Sequence, residues 1–274
     1  MRLLFLGAPD VGDPMMEKQE MLAALDLGYV ELYREMLRRG GPGICVDKDG
    51  MMLVAGVNLT VRAAMRTDPT LPAREFLGRI ETFFLERKMD HHIVTRAPHD
   101  SDIDDLLRDA GFEPDYIESV MSLQRKPEAA HPPAHGSVKE VRDARGAKDF
   151  ATAVCAAFGE PGIADAVITG PRSVIAPHIR AFVGYLNGEP VATALTMLHA
   201  GAAGVFWVGT VDAARHQGFG SALVRTAACA GFDMGARFVW LGSTRLGIPV
   251  YHEVGFTELG VDYLEYRFPE SHHA

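Results

Sequence analysis

Arg215-His216-Gln217-Gly218-Phe219-Gly220 follows a strand-like run over residues 205–211 and leads into a helix-like run over 221–234. The stretch therefore reads as a Gly-rich turn presenting consecutive backbone N–H groups at a helix N-terminus. Such a turn suits a phosphate or diphosphate group. Its glycines remove the Cβ atoms that would hold a ligand off the backbone.

Two nucleotide loops are excluded by spacing. A P-loop needs four residues between its glycines and a Lys-Ser/Thr after the second, whereas here one residue intervenes and Ser221 follows. A dinucleotide fingerprint needs a third glycine where Leu223 stands. The spacing that fits is Arg-x-x-Gly-x-Gly, with Val211 four residues ahead of Arg215. Downstream, Tyr251-His252-Glu253-Val254-Gly255-Phe256 follows a strand-like run over 238–241 and precedes another over 262–268.

Together these elements resemble the GCN5-related N-acetyltransferase (GNAT) superfamily: an acyl-CoA diphosphate loop, then a Tyr-x-x-x-Gly-Phe segment near the end of the fold. The resemblance covers about the last half of the chain. It implies an α+β fold, α/β in its layering, with a mixed, mostly antiparallel central sheet flanked by helices. It further implies acetyl-CoA as cofactor, held by the backbone of Gly209, Thr210 and Val211 in a gap between splayed strands. Arg215, His216, Gln217, Gly218, Phe219, Gly220 and Ser221 would hold the diphosphate, and Ser243 is a hydroxyl contact. Tyr251 would be the general acid that protonates the leaving thiolate, since a phenol remains protonated at neutral pH. Gly209 is read as marking a bulge that helps the strands part. Many relatives carry a Glu on the strand before the loop, but 205–211 contains no carboxylate. The base is therefore open, with a water or Glu160 as candidates. Trp207, Phe182 and Tyr185 are read equally as acceptor-pocket lining or as core.

The chain has 274 residues, enough for two such domains. Residues 126–137, with Pro127, Pro132 and Pro133, read as a linker. The expected division is 1–126, linker 127–137, and a catalytic domain over 138–274. The second part predicts strands at 138–141, 179–186 and 190–198, the latter two joined by Asn187-Gly188, with helices over 146–158 and 164–169. The first part repeats the plot more faintly: strands at 44–47, 52–58, 60–65, 92–95 and 116–123, and helices over 74–89 and 103–110. Leu107-x-x-x-Gly111-Phe112 takes the place of Tyr251-x-x-x-Gly255-Phe256. An internal duplication follows. In the first copy Asp68-Pro69-Thr70-Leu71-Pro72 stands where the Gly-rich loop belongs, and its prolines remove N–H donors. That copy reads as degenerate.

Net charge is −9, from 27 basic and 36 acidic residues. This argues against nucleic acid as partner and suits amine substrates. Three scattered cysteines fit reduced thiols in a cytoplasmic protein, and no run reaches membrane-spanning length. His272 and His273 are assigned no function. The expected activity is acetyl transfer from acetyl-CoA to a small-molecule primary amine by direct attack in a ternary complex. A non-catalytic acyl-CoA sensor and a protein lysine or N-terminal acetyltransferase are the alternatives, and a homodimer stays open.

Overall fold

The computed structural model describes residues 16–40, 42–56, 61–131, 133, 135–159 and 174–269. The expected helix over 164–169, Glu160, Asn58, Thr60 and the terminal histidines lie outside them. The described residues form one mixed α/β molecule around an 11-stranded sheet.

The first half begins with α1 (Lys18–Gly40), an element the sequence reading did not anticipate. It continues through β1 (Gly43–Lys48), β2 (Met51–Gly56), β3 (Arg62–Arg66), α2 (Ala73–Leu85), β4 (His91–Ala97), α3 (Ser101–Asp109) and β5 (Tyr116–Leu123). The second half comprises β6 (Gly136–Glu140), α4 (Ala144–Phe158), β7 (Ile179–Leu186), β8 (Glu189–His199), β9 (Ala202–Thr210), α5 (Phe219–Asp233), β10 (Phe238–Ser243), α6 (Ile248–Val254) and β11 (Thr257–Phe268). The expected strands and helices recur with shifted ends. The largest shift is in β11, which starts five residues before the predicted 262. The Tyr251 segment forms helix α6.

The two halves run in parallel detail. In each, an antiparallel meander ends on a strand that pairs in parallel with the next: β3 with β4, and β9 with β10. Each then closes a short helix in the same way. Gly111 and Gly255 are left-handed, at φ +87° and +109°, and the following Phe112 and Phe256 donate to Leu107 O and Tyr251 O, both at 3.0 Å. The expected repeat thus extends to individual backbone hydrogen bonds.

The strand order is β1-β2-β3-β4-β11-β5-β10-β9-β8-β7-β6. The last strand of each half is therefore lent to the other: β11 lies between β4 and β5, and β5 lies between β10 and β11. The sheet therefore runs continuously through both halves. One face, called the front, buries α1 and α4 over Val94, Val120, Phe238, Trp240 and Tyr263. The back is covered by α2 and α3 on the first half and by α5 and α6 on the second. Helix α1 spans strands of both halves, with buried residues Met21, Leu25, Tyr29, Tyr33 and Met36 on one stripe.

Candidate active site

β9 and β10 stay paired for three residues only, Phe238 with Ala202, Val239 with Ala203 and Trp240 with Gly204. Both strands then continue, β9 as far as Thr210 and β10 to Ser243, without pairing to each other. The cause is local. Between the pairs Leu195–Phe206 and Thr193–Gly209, β9 carries one residue more than β8, which is a bulge. Its strained residue is Trp207, at φ +55°, and the buried Thr193 hydroxyl donates to Trp207 O at 2.8 Å. The bulge therefore sits on Trp207 and Val208, just ahead of Gly209. Gly209 serves packing: a Cβ there would come within 2.8 Å of Ala157 Cβ.

The Gly-rich turn lies at the end of β9, after a short 3₁₀ turn over Asp212–Ala214. Gly218, at φ +86°, is the N-cap of α5, and no side chain caps it. The N–H groups of a helix's first turn have no intrahelical acceptor. A Cβ on Gly218 would meet nothing within 4 Å, and one on Gly220 only Val250 at 3.8 Å. The protein leaves the space above this backbone open, so the turn fits a diphosphate. Arg215, His216 and Gln217 are exposed beside it. Arg215 donates to Thr210 O at 3.2 Å and pairs with Asp212 at 2.9 Å, and Gln217 donates to Ala213 O at 3.1 Å. Ser221 Oγ donates to Glu253 at 3.4 Å.

Not every expected contact faces the gap. The Phe219 side chain is buried in the core against Gly136 and Gly184, leaving only its backbone at the turn. Val211 N–H is committed to Val191 O at 2.9 Å. Phe182 is core and Tyr185 donates to Asp149 at 2.8 Å, whereas Trp207 lines a cleft under α1 with Leu32, Glu35, Met36 and Leu195.

Tyr251 comes from α6, which follows β10 on the other side of the split, and is 8% exposed. Its ring tip packs over Gly247, where a Cβ would lie 2.8 Å from Tyr251 Cε2 and 3.0 Å from Ser243 Oγ. Ser243 Oγ donates to Thr244 O at 2.8 Å. Burial, and then the negative charge of Glu118, push the Tyr251 phenol above its ordinary range. His252 is turned away, bonded to Phe256 O and Glu258.

Glu118 is the residue that sequence reasoning missed. It lies on β5, the strand lent by the first half, and is only partly exposed. A Cβ on Gly242 of β10 would fall 2.7 Å from its carboxyl carbon, so the missing side chain at Gly242 is what admits it. Burial, followed by repulsion from Glu265, pushes Glu118 up to about 7, with the Tyr116 hydroxyl opposing. No local motif marks Glu118. The only signal would have been the duplication itself, had it suggested which strand neighbours β10.

The first half's equivalent split is filled. Strand registers equate Arg66 with Val205 and Arg96 with Gly242. Both arginines bind the fully buried Asp100: Arg66 Nη2 at 2.7 Å and Arg96 Nε at 2.9 Å. Arg96 also pairs with Asp26 of α1 at 2.6 Å, and Arg66 with Asp102 at 2.7 Å. This network occupies the place that the second half leaves open.

Residues 156–256 match the model of the Acetyltransferase (GNAT) family. No curated protein matches the chain. Among solved structures, a GCN5-related N-acetyltransferase from Kribbella flavida is 18% identical, with TM-score 0.66, covering 90% of this chain and 95% of its own. One from Sphaerobacter thermophilus is also 18% identical, with TM-score 0.62, over 81% and 77% of the two chains. A tandem GNAT protein from the clavulanic acid biosynthesis pathway is 11% identical, with TM-score 0.58, over 93% and 97%. At these identities the likeness establishes the shared fold.

Proposed function

We propose that the protein, whose residues 156–256 match the Acetyltransferase (GNAT) family, moves an acetyl group from acetyl-CoA to the primary amine of a small molecule. The observation that carries this reading is the split between β9 and β10, with an open, uncapped turn following β9 and Tyr251 following β10. Residues 217–221 would hold the diphosphate, and the unpaired edges of β9 and β10 would hold the arm that leads to the sulfur. Bound there, acetyl-CoA supplies the activated acyl group.

The protein's part is positioning and proton management. Tyr251 stays protonated across the working range, because burial and Glu118 both disfavour the phenolate. It can therefore give its proton to a departing thiolate. Helix α1 covers much of the front face and leaves a narrow cleft past Trp207, which suits a small amine better than a folded protein acceptor.

Two substitutions test the assignment. Tyr251→Phe should lower kcat by about 10²-fold while leaving acetyl-CoA binding intact. Gly220→Glu, which puts bulk and negative charge over the turn, should weaken acetyl-CoA binding measured by calorimetry. If neither variant differs from wild type on an established acceptor, the site lies elsewhere.

A further inference from the structure

We propose that Glu118, carried on the strand lent by the first half, is the base that takes a proton from the acceptor's ammonium in the second half's site. The inference rests on the acetyl-transfer reading above.

Four observations converge on it. First, β9 supplies no carboxylate, and β5 is the strand next to β10 on the side away from β9. Second, Glu118 belongs to the front face with Val120 and lies over Gly242, in the part of β10 that has parted from β9. Third, its charge is felt by Tyr251, which packs in the back cluster at the same end of the split. A base in front and an acid behind would flank whatever occupies the gap. Fourth, the arrangement is one-sided. Register equates Glu118 with Val261 on β11, and Gly242 with Arg96 on β4, so the filled half lacks both the carboxylate and the space for it.

The groups that face Glu118 are Glu265 and Tyr263 from β11, Tyr116 from β5, Tyr251 from α6, and Tyr29 and Tyr33 from α1. β10 contributes Gly242 and Trp240, neither of which titrates. Burial and the charge of Glu265 outweigh the Tyr116 hydroxyl, and the upward displacement of Glu118 to about 7 follows. A carboxylate poised there can accept a proton near neutral pH and release it again.

The proton balance closes. Glu118 takes one proton from R–NH₃⁺, freeing the nitrogen lone pair. The nitrogen forms a C–N bond to the acyl carbon and the C–S bond breaks. Tyr251 gives its proton to the sulfur, and the second nitrogen proton returns to the phenol. Glu118 then releases its proton to solvent. Ammonium and thioester become amide, thiol and one proton. Protonating Glu118 also removes the charge that disfavours the Tyr251 phenolate, so the base makes the acid stronger as the thiolate departs.

The test uses the full chain and a panel of primary amines (putrescine, tyramine and glucosamine), with acetyl-CoA turnover followed from pH 5.5 to 9. Wild-type kcat/KM should rise to a plateau through about pH 7. Glu118→Gln should lose about 10²-fold at the plateau and show no inflection there. Glu265→Gln, which removes the repelling neighbour, should move the inflection to lower pH. An infrared difference spectrum between wild type and Glu118→Gln, recorded without acyl donor, gives a second readout. A carboxyl band titrating near 7 is expected, and one titrating near the ordinary 4.5 overturns the proposal while leaving acetyl transfer untouched. An unchanged rate profile in Glu118→Gln overturns it equally. A wild type that binds acetyl-CoA but acetylates no amine overturns the activity reading, and this assignment with it.

Discussion

At the scale of single residues, Glu118 carries a consequence for stability as well as for chemistry. Its folded pKa is raised above its ordinary value of 4.5 to about 7. Below 4.5 both folded and unfolded chains hold the proton, and Glu118 contributes no difference. Between 4.5 and 7 the folded state keeps a proton that the unfolded state has lost, so stability falls as pH rises. Above 7 the cost is complete. Glu118→Gln lacks this term. Its stability relative to wild type should therefore climb between pH 4 and pH 8, by on the order of 3 kcal/mol, in urea melts. A constant offset across that range would mean that Glu118 titrates normally. Tyr251 and the Gly-rich turn were legible because their meaning lies in spacing along the chain. Glu118 was not, because its meaning lies in which strand lies beside it.

Among elements, the contrast between the two splits is the informative one. The first half closes its split with Arg66 and Arg96 around Asp100, all three buried. Removing one partner from such a network leaves a buried charge short of its counter-ion. Arg66→Met should accordingly destabilise the protein by about 3 kcal/mol in thermal or chemical melts. A loss below 1 kcal/mol would show that Arg96 alone satisfies Asp100. The lack of a Gly-rich loop in this half could be read from Pro69 and Pro72 in the sequence; the ion pairs that fill the split could not, because Arg66 and Asp100 are 34 residues apart. Helix α1 was overlooked, although Met21, Ala24, Leu25, Gly28, Tyr29 and Met36 fall on one buried stripe. Its many charged residues obscure that stripe, and they pair along the helix surface, as Arg34 does with Glu31 at 3.3 Å.

For the whole molecule, the exchange of β5 and β11 makes the halves mutually dependent. A fragment starting at residue 127 would lack β5, leaving β10 and β11 with exposed edges and the site without Glu118. Fragments 1–126 and 127–274 should each be poorly soluble alone yet recover acetyl-CoA binding when co-expressed, as size-exclusion chromatography and calorimetry would show. An isolated 127–274 fragment that is soluble and binds with full affinity would refute this dependence. Both meanders were foreseeable, because hairpin turns and alternation act over a few residues. The exchange was not, because antiparallel neighbours are chosen by contacts more than 100 residues apart, such as Val239 with Leu123. The same feature sets a timetable for synthesis. β5 leaves the ribosome well before β10 and β11, so its two edges must wait unpaired while the second half is made. The sheet closes only when the final strand threads between β4 and β5. A cut within β11 would remove the strand that lies between β4 and β5, so the first half's sheet is held together by residues more than 100 positions downstream of it.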